Sequence, residues 1–180
     1  MKAFERLDRK LVAHGHIFDY YEDTLAIPNG NLAKWDFIKK KSAAAVVPVL
    51  PDGRIVMVRQ YRNCVDRETI EIPAGGMNTE NEDPLVCAKR ELKEETGYSS
   101  ENMELLITTS TAVAFCNEVI PIYVAFLNAG PGEQNLDEDE FIKVEAYTLD
   151  SLCEMIYSGK MTDAKTVAAI LAYKDRYSSK

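Results

Sequence analysis

Alternating hydrophobic and polar positions dominate the first half of the chain and predict β-strands there. A β-hairpin is predicted by the segments HGHIFDYYEDTLAIP and NLAKWDFIKK, which flank an Asn29-Gly30 turn. A second hairpin is predicted where AAAVVPVL and RIVMVRQYR flank a PDG turn, and RETIEIPAG predicts one further strand. Together these segments predict a mostly antiparallel or mixed sheet.

Helical spacing first emerges in the segment between Asp83-Pro84 and Gly97. Aspartate is a favoured helix cap, proline is tolerated in the first turn, and glycine commonly ends a helix. Further strands are predicted by MELLITTS, VIPIYVAFL and FIKVEAYTL, and further helices by LDSLCEMIYSG and TDAKTVAAILAYKDR. One helix that interrupts strands, with more helices at the end, indicates an α+β or layered αβα fold.

Charged residues on the first predicted helix point to chemistry. At helical spacing, Glu91, Glu94 and Glu95 lie together beside a narrow apolar stripe, and Arg90 precedes Glu94 by one turn. A solvated acidic face and a divalent-cation site are both open interpretations of such a cluster. The AGGM stretch before the helix favours the cation site, because glycines let backbone carbonyls approach the carboxylates closely.

Composition narrows the number of domains and the class of ligand. The chain has 180 residues, of which 46% are hydrophobic, and this length predicts one sizeable core with a small appendage. A net charge of −8 argues against nucleic acid or an anionic membrane as a partner, so an anionic ligand needs a mediating cation such as Mg²⁺. Four widely separated cysteines indicate reduced thiols and a cytoplasmic protein.

The stretch from Gly76 to Tyr98 resembles the Nudix box, G-x5-E-x7-R-E-U-x-E-E-x-G-U, in which U is an aliphatic residue. Tyr98 in the last place is the one departure from that pattern. The other fixed positions are filled by Gly76, Glu82, Arg90, Glu91, Leu92, Glu94, Glu95 and Gly97. Flanking segments such as VRQYR, ETIEIPAGG and LDEDEFIKVEAYTLD resemble the ADP-ribose pyrophosphatase subgroup of this family.

The resemblance implies an αβα sandwich with a mixed β-sheet and an N-terminal β-hairpin extension. We expect the extension to span residues 1–42 and the Nudix hydrolase domain to span residues 43–180. In this family the enzymes cleave nucleoside diphosphates linked to another moiety and need a divalent metal ion. Mg²⁺ is therefore the expected cofactor, with Mn²⁺ as an alternative. The subgroup's N-terminal strands are exchanged between two subunits, so we expect a homodimer.

Metal ligands and catalytic residues follow from the matched positions. The resemblance makes Glu91 and Glu95 the principal metal ligands, assisted by Glu94 and the carbonyl of Ala74. Arg90 is expected to orient this acidic cluster.

The resemblance implies that the general base is a glutamate of the acidic loop GEQNLDEDEF, and the helix need not supply one because metal occupies its carboxylates. Both Glu138 and Glu140 are eligible in that loop. Glu140 is favoured because it directly precedes Phe141 and the predicted strand. A loop of this composition also suits an arm that closes over the diphosphate.

Substrate contacts are expected from both the extension and the main domain. Arg62 is expected to touch phosphate, and Trp35 to stack on the adenine of the partner's ligand with Lys40 close by. Before the resemblance is considered, a lone tryptophan is more typical of a core. The full expected set is Trp35, Lys40, Arg59, Arg62, Glu71 and Glu118, and Arg67 is a further candidate.

The substrate is less well determined than the chemistry. The subgroup usually carries a Pro-Gly turn where this chain has Val113 and Ala114. Hydrolysis of ADP-ribose to AMP and ribose 5-phosphate is the first hypothesis, and hydrolysis of another nucleoside diphosphate sugar, such as GDP-mannose, is the second. A non-catalytic nucleotide-binding module is the third, and it is disfavoured because such a module has no physical need for three repelling carboxylates.

Overall fold

The structure, a computed structural model, describes residues 3–138 and 140–178. Two compact units divide the chain: the first comprises the chain up to Ser42 with Ser110–Val119, and the second comprises Ala43–Thr109 and the chain from Ile120 onward. Every helix within the described residues is too short or too polar to span a membrane. The elements are β1 (Glu5–His14), β2 (Asp19–Ala26), β3 (Leu32–Lys39), β4 (Ala43–Val49), β5 (Ile55–Arg62), β6 (Arg67–Glu71), β7 (Ala74–Gly76), α1 (Pro84–Thr96), β8 (Met103–Ser110), β9 (Val119–Phe126), β10 (Lys143–Tyr147), α2 (Leu149–Tyr157) and α3 (Ala164–Ser178).

An antiparallel sheet in the order β1-β2-β3 forms most of the first unit. β2 and β3 are the predicted hairpin, and Gly30 in its turn adopts a left-handed φ of 91°. β1 was not predicted, because its charged sequence ERLDRKLVAH does not alternate regularly. Arg9 holds it in place by donating two hydrogen bonds of 2.6 Å to Asp23, while its guanidinium lies 3.5 Å from the Phe37 ring centroid.

A mixed sheet in the order β10-β5-β4-β9-β8 forms the centre of the second unit. β4 pairs with β9 in parallel and with β5 in antiparallel orientation. All residues of β4 are buried, as expected for a central strand covered on both faces. The predicted mixed sheet is therefore confirmed.

Helices cover the two faces of this sheet, because successive β4 side chains point to opposite sides. Ala44 and Val46 belong to a core that includes Leu92 of α1. Ala45 and Val47 belong to a second core, which includes Leu152 of α2 and Ile170 of α3. This arrangement gives three layers, with α1 alone on one side.

The segment RETIEIPAG forms two strands where the sequence predicted one. β6 pairs with β5, whereas β7 pairs with β4, and the chain changes neighbour at Ile72-Pro73. Proline has no backbone N–H to continue a ladder, and here the Pro73 carbonyl accepts a hydrogen bond of 2.9 Å from Val46 N. The short β7 is thereby placed against α1.

Helix α1 has the predicted ends. Asp83 caps it, with a side-chain oxygen accepting from Leu85 N at 2.8 Å, and Gly97 ends it with a left-handed φ of 72°. Gly97 is also in close contact with a loop, because a Cβ atom built on it would lie 2.3 Å from the Gly132 carbonyl oxygen. Both the backbone conformation and the close approach require glycine here.

We predict that Gly97→Ala destabilises the protein more than Gly53→Ala does. Gly53 has a similar φ of 83°, but a Cβ atom added to it would meet no atom within 4 Å, so its substitution tests the cost of the left-handed conformation alone, about 1–2 kcal/mol. Gly97→Ala adds the clash with Gly132, which we expect to contribute roughly 1–3 kcal/mol more. Urea unfolding of both variants measures the difference, and equal losses would contradict the close approach.

Candidate active site

Two carboxylates lie on the inward face of α1, against the backbone of β7. Glu91 is 8% exposed and Glu95 is 3% exposed. The Glu91 carboxylate occupies the space of a side chain at Gly75, since a Cβ built there would lie 2.1 Å from its carboxylate carbon. Glu95 accepts a hydrogen bond of 3.0 Å from Ala74 N. The sequence predicted that these carboxylates lie beside the buried face of the helix, whereas in the structure Glu91 and Glu95 belong to the buried face itself.

Arg90 draws the acidic residues of this helix together. Its Nη1 donates to Glu91 Oε1 at 2.6 Å and to Glu94 Oε2 at 2.9 Å, and its Nη2 donates to the Gly76 carbonyl at 2.9 Å. Arg90 Nε is buried without a hydrogen-bond partner among the described residues, and it lies 3.6 Å from Glu82 Oε1. One guanidinium therefore faces three carboxylates.

Burial makes the charged forms of the two inward carboxylates costly. The pKa of Glu95 is raised to about 8, mainly by desolvation and also by the charges of Glu91 and Glu140, against the lowering effect of the Ala74 N–H. Desolvation also raises the pKa of Glu91, although Arg90 opposes the shift. The chain thus keeps two acidic groups where an additional positive charge would stabilise them.

The donor set fits a hard divalent cation. One carboxylate oxygen of Glu91 and one of Glu94 accept from Arg90, and one of Glu95 accepts from Ala74 N. The other oxygen of each carboxylate accepts no hydrogen bond within the described part of the chain. Carboxylate oxygens are the ligands that Mg²⁺ prefers. Among the described residues, no three or more His, Cys, Asp or Glu side chains are arranged so that they could hold a metal ion together. Binding of a metal ion would therefore require the side chains of Glu91, Glu94 and Glu95 to change position.

A third buried acidic residue, Glu71, is surrounded by hydrogen-bond donors. Arg62 donates two hydrogen bonds of 2.8 Å to it, Thr69 donates one of 2.7 Å, and Lys165 donates one of 2.5 Å. Burial acts to raise the pKa of Glu71, but Arg62 and Lys165 outweigh it and lower the pKa to about 2. Lys165 also donates to Asp163 at 2.9 Å.

Comparison with known proteins identifies the family. The family model described as NUDIX domain matches residues 39–170, which is most of the chain. The chain belongs to the NUDIX family. The expected family and αβα fold are thus confirmed.

Curated relatives of this NUDIX protein extend over nearly its whole length. A methanol dehydrogenase activator from Bacillus methanolicus is 38% identical over 172 residues, which cover 94% of this chain and 92% of the relative. An ADP-ribose pyrophosphatase from Bacillus subtilis (strain 168) is 34% identical over 173 residues, covering 94% and 93%. A crystal structure described as an ADP compounds hydrolase shares the fold, with a TM-score of 0.86 over 99% of this chain and 96% of that one, at 20% identity.

The two predicted arginines of β5 both have acidic partners in the NUDIX domain. Arg59 donates two hydrogen bonds of 2.9 Å to Glu145 and one of 3.3 Å to Tyr147 Oη. Arg62 binds Glu71 through Nε and Nη2, and its Nη1 donates to none of the described residues. Arg67 is exposed and donates to Thr162 Oγ1 at 3.0 Å.

The predicted residues of the first unit fall into two groups. Trp35 is 50% exposed, and its ring centroid lies 5.6 Å from that of Phe4, so Trp35 is no core residue within this chain. Lys40 Nζ lies 2.6 Å from Glu118, which is buried and also accepts from Thr111 Oγ1 at 2.5 Å. Lys40 and Glu118 are thus an ion pair.

The acidic loop before β10 contains both candidate bases. Glu140 N donates to the Asp137 carbonyl at 3.0 Å, and the Glu140 carboxylate accepts from Asp137 N at 3.3 Å. Glu140 is among the charges that raise the pKa of Glu91 and Glu95.

Sequence reasoning missed Lys165 and Asp163 as partners of the Glu71 cluster. Asp163 precedes α3 and accepts from Thr166 N at 3.0 Å, which is a helix-capping contact. The capping pattern in TDAKT was a visible signal for a helix start. Nothing in that pattern indicated that Lys165 reaches Glu71, 94 residues away along the chain.

We predict that Glu71→Gln destabilises the protein by about 3 kcal/mol at pH 7, because it leaves Arg62 and Lys165 without their shared counter-ion. The pKa of Glu71 is depressed from 4.5 to about 2 in the folded state, so its stabilising effect is present above pH 4.5 and is lost as the pH falls toward 2. Urea unfolding between pH 3 and pH 7 should show the difference from wild type narrowing at low pH. Glu68→Gln, an exposed neighbour on β6, is the matched control, and a pH-independent difference for Glu71→Gln would count against the assignment.

Proposed function

We propose that this protein hydrolyses ADP-ribose to AMP and ribose 5-phosphate, with Mg²⁺ as its cofactor and Mn²⁺ as an alternative. The observation that carries the proposal is the pair of buried carboxylates, Glu91 and Glu95, on the helix of a Nudix box that departs from its pattern only at Tyr98. Identity of 34% to a protein named ADP-ribose pyrophosphatase supports the choice of substrate. Free cysteines at all four positions support a cytoplasmic enzyme.

In the proposed site, Glu91 and Glu95 hold the cation, with Glu94 and the Ala74 carbonyl assisting. A bound divalent cation neutralises the diphosphate and lowers the pKa of a coordinated water. Arg90 fixes the carboxylates through its contacts with Glu91 and Glu94.

Protein groups also bind the substrate and accept the proton in this proposal. The free Nη1 of Arg62 donates to a phosphate oxygen, and Arg59 adds positive charge on the same strand. Glu140 of the acidic loop accepts the proton of the attacking water, and Glu138 is the alternative base. Attack on one phosphorus breaks the phosphoanhydride bond and releases AMP and ribose 5-phosphate.

A homodimer completes the proposal. The first unit exposes several large apolar side chains in or next to its sheet: Phe4, Leu7, Leu11, Val12, Leu32 and Trp35. A second copy of the chain would cover these side chains. Trp35 would then stack on the adenine of the partner's substrate, with the Lys40 and Glu118 pair nearby.

Another nucleoside diphosphate sugar is the alternative substrate. Val113 stands where the subgroup usually has proline, and it is 86% exposed. An apolar side chain there alters the surface offered to a sugar. GDP-mannose is a suitable representative of this second class.

We predict that a substrate panel with Mg²⁺ will show ADP-ribose to be hydrolysed most efficiently. The panel should contain ADP-ribose, ADP-glucose, GDP-mannose and NADH, with kcat/KM measured for each and the products separated chromatographically. AMP and ribose 5-phosphate are the expected products. Equal or better turnover of GDP-mannose would favour the alternative substrate, and absence of turnover throughout would favour a binding module.

Activation of a methanol dehydrogenase is a second candidate function. The 38% identity to a protein named methanol dehydrogenase activator favours it, since this identity exceeds that to the pyrophosphatase. Adding the protein to a methanol dehydrogenase tests it, with Glu95→Gln measured beside wild type. An effect that is lost in Glu95→Gln would tie activation to hydrolysis, whereas no effect of wild type would exclude this candidate for the dehydrogenase tested.

We predict that Glu140→Gln lowers kcat by about 10²–10⁴-fold, the usual contribution of a positioned general base, with little change in metal affinity. Glu138→Gln is the matched variant in the same loop and should keep most of the activity. Steady-state kinetics at neutral pH and a metal titration distinguish the two effects. The loop would contain no base if both single variants and the double variant retained near-normal kcat.

A further inference from the structure

Three hydrogen bonds attach the acidic loop to the C-terminal end of α1. Gly132 N donates to the Gly97 carbonyl at 2.8 Å, and Asn135 N donates to the Glu94 carbonyl at 2.9 Å. The third comes from a side chain: Gln134 Nε2 donates to the Glu95 carbonyl at 2.5 Å. The last carbonyls of a helix lack partners within the helix, so they are natural acceptors for such a loop.

Gln134 lies where the two ends of the acidic loop come together. Its Nε2 also lies 3.5 Å from the carbonyl oxygen of Ile142, the residue directly before β10. The same amide group therefore contacts the end of α1 and the far end of the segment that contains Glu138 and Glu140. Every residue type except proline supplies a backbone N–H donor, so the Gln134 contact is the one of the three that depends on a particular side chain.

Packing beneath the loop is incomplete, which increases the importance of these hydrogen bonds. A cleft of about 660 Å³ separates the start of the loop from the sheet. It is lined on the loop side by residues 131–134 and on the opposite side by Val56, Thr96, Tyr98, Val144, Glu145 and Ala146. Apart from the close approach of Gly132 to Gly97, the start of the loop borders this cleft, so the hydrogen bonds to α1 help to fix its position.

We propose that Gln134 is a positioning residue that sets the distance between Glu140 and the carboxylates of Glu91 and Glu95. This inference rests on the proposed function, in which Glu140 accepts the proton of the attacking water. Glu140 is linked by two hydrogen bonds to Asp137, which follows Gln134 by three residues in the same loop. Displacement of the loop at Gln134 would move Glu140 away from the reacting atoms, and a misplacement of 1 Å can cost about 10²-fold in rate.

Gln134→Met tests the proposal, because methionine has a similar length but cannot donate a hydrogen bond. We expect kcat to fall at least about tenfold while KM and the metal concentration for half-maximal activity stay within about twofold. Gln134→Glu, which has the shape of glutamine without the N–H, should behave in the same way and serves if the methionine variant does not fold. Glu133→Gln, an exposed neighbour in the same loop, is the control and should keep wild-type kinetics.

A double-mutant cycle separates positioning from a general loss of structure. If Gln134 acts through Glu140, Gln134→Met should lower kcat little further in a Glu140→Gln background. Fully additive losses, or a kcat for Gln134→Met within twofold of wild type, would overturn the proposal.

Hydrogen exchange provides a test that does not depend on turnover. Peptides covering residues 128–142 should exchange faster in Gln134→Met than in wild type, whereas peptides of β4 should not change. Unchanged exchange in the loop would overturn the proposal even if the substrate assignment is correct. Absence of turnover by wild type would instead contradict the proposed function, and the exchange rates would still decide whether Gln134 holds the loop.

Discussion

The site depends on one constraint, namely that two carboxylates are buried side by side on the inner face of α1. Glu91 and Glu95 lie one turn apart and face the backbone of β7 rather than solvent. Their burial raises the free energy of the charged forms, and the charge of Glu91 raises the pKa of Glu95 further through like-charge repulsion. The surrounding residues reduce the free-energy cost of burying these two carboxylates.

Several features of the fold serve that arrangement. Pro73 moves the chain from one neighbouring strand to another, so that β7 lies against α1 with Gly75 facing Glu91. Arg90 supplies the positive charge that the chain itself can offer, and the Ala74 N–H supplies a hydrogen bond. Glu71 differs from the pair on α1, because Arg62 and Lys165 neutralise its charge and lower its pKa. One buried acid is saturated with donors, whereas the pair on α1 retains oxygens for a ligand.

The sequence predicted those parts of the structure that local rules determine. The ends of α1, the Asn29-Gly30 turn and the spacing of Glu91, Glu94 and Glu95 follow from capping, turn chemistry and helical periodicity. β1 was missed because Arg9, Asp23 and Phe37 stabilise it through contacts that no local alternation reveals. Lys165 and Gln134 were missed for the same reason, since their partners lie far away along the chain or in backbone carbonyls.

Direct measurement of Mn²⁺ binding tests the central claim, that the buried carboxylates are held for a cation. Electron paramagnetic resonance of free Mn²⁺ can be recorded during titration of wild type, Glu91→Gln and Glu154→Gln, the last being an exposed acidic residue of α2. The account predicts saturable binding to wild type and to Glu154→Gln, with at least about tenfold weaker binding to Glu91→Gln, because loss of even an outer-shell partner of a ligand costs about 10–100-fold in metal affinity. Equal binding by all three proteins would show that the cation, if bound, lies elsewhere.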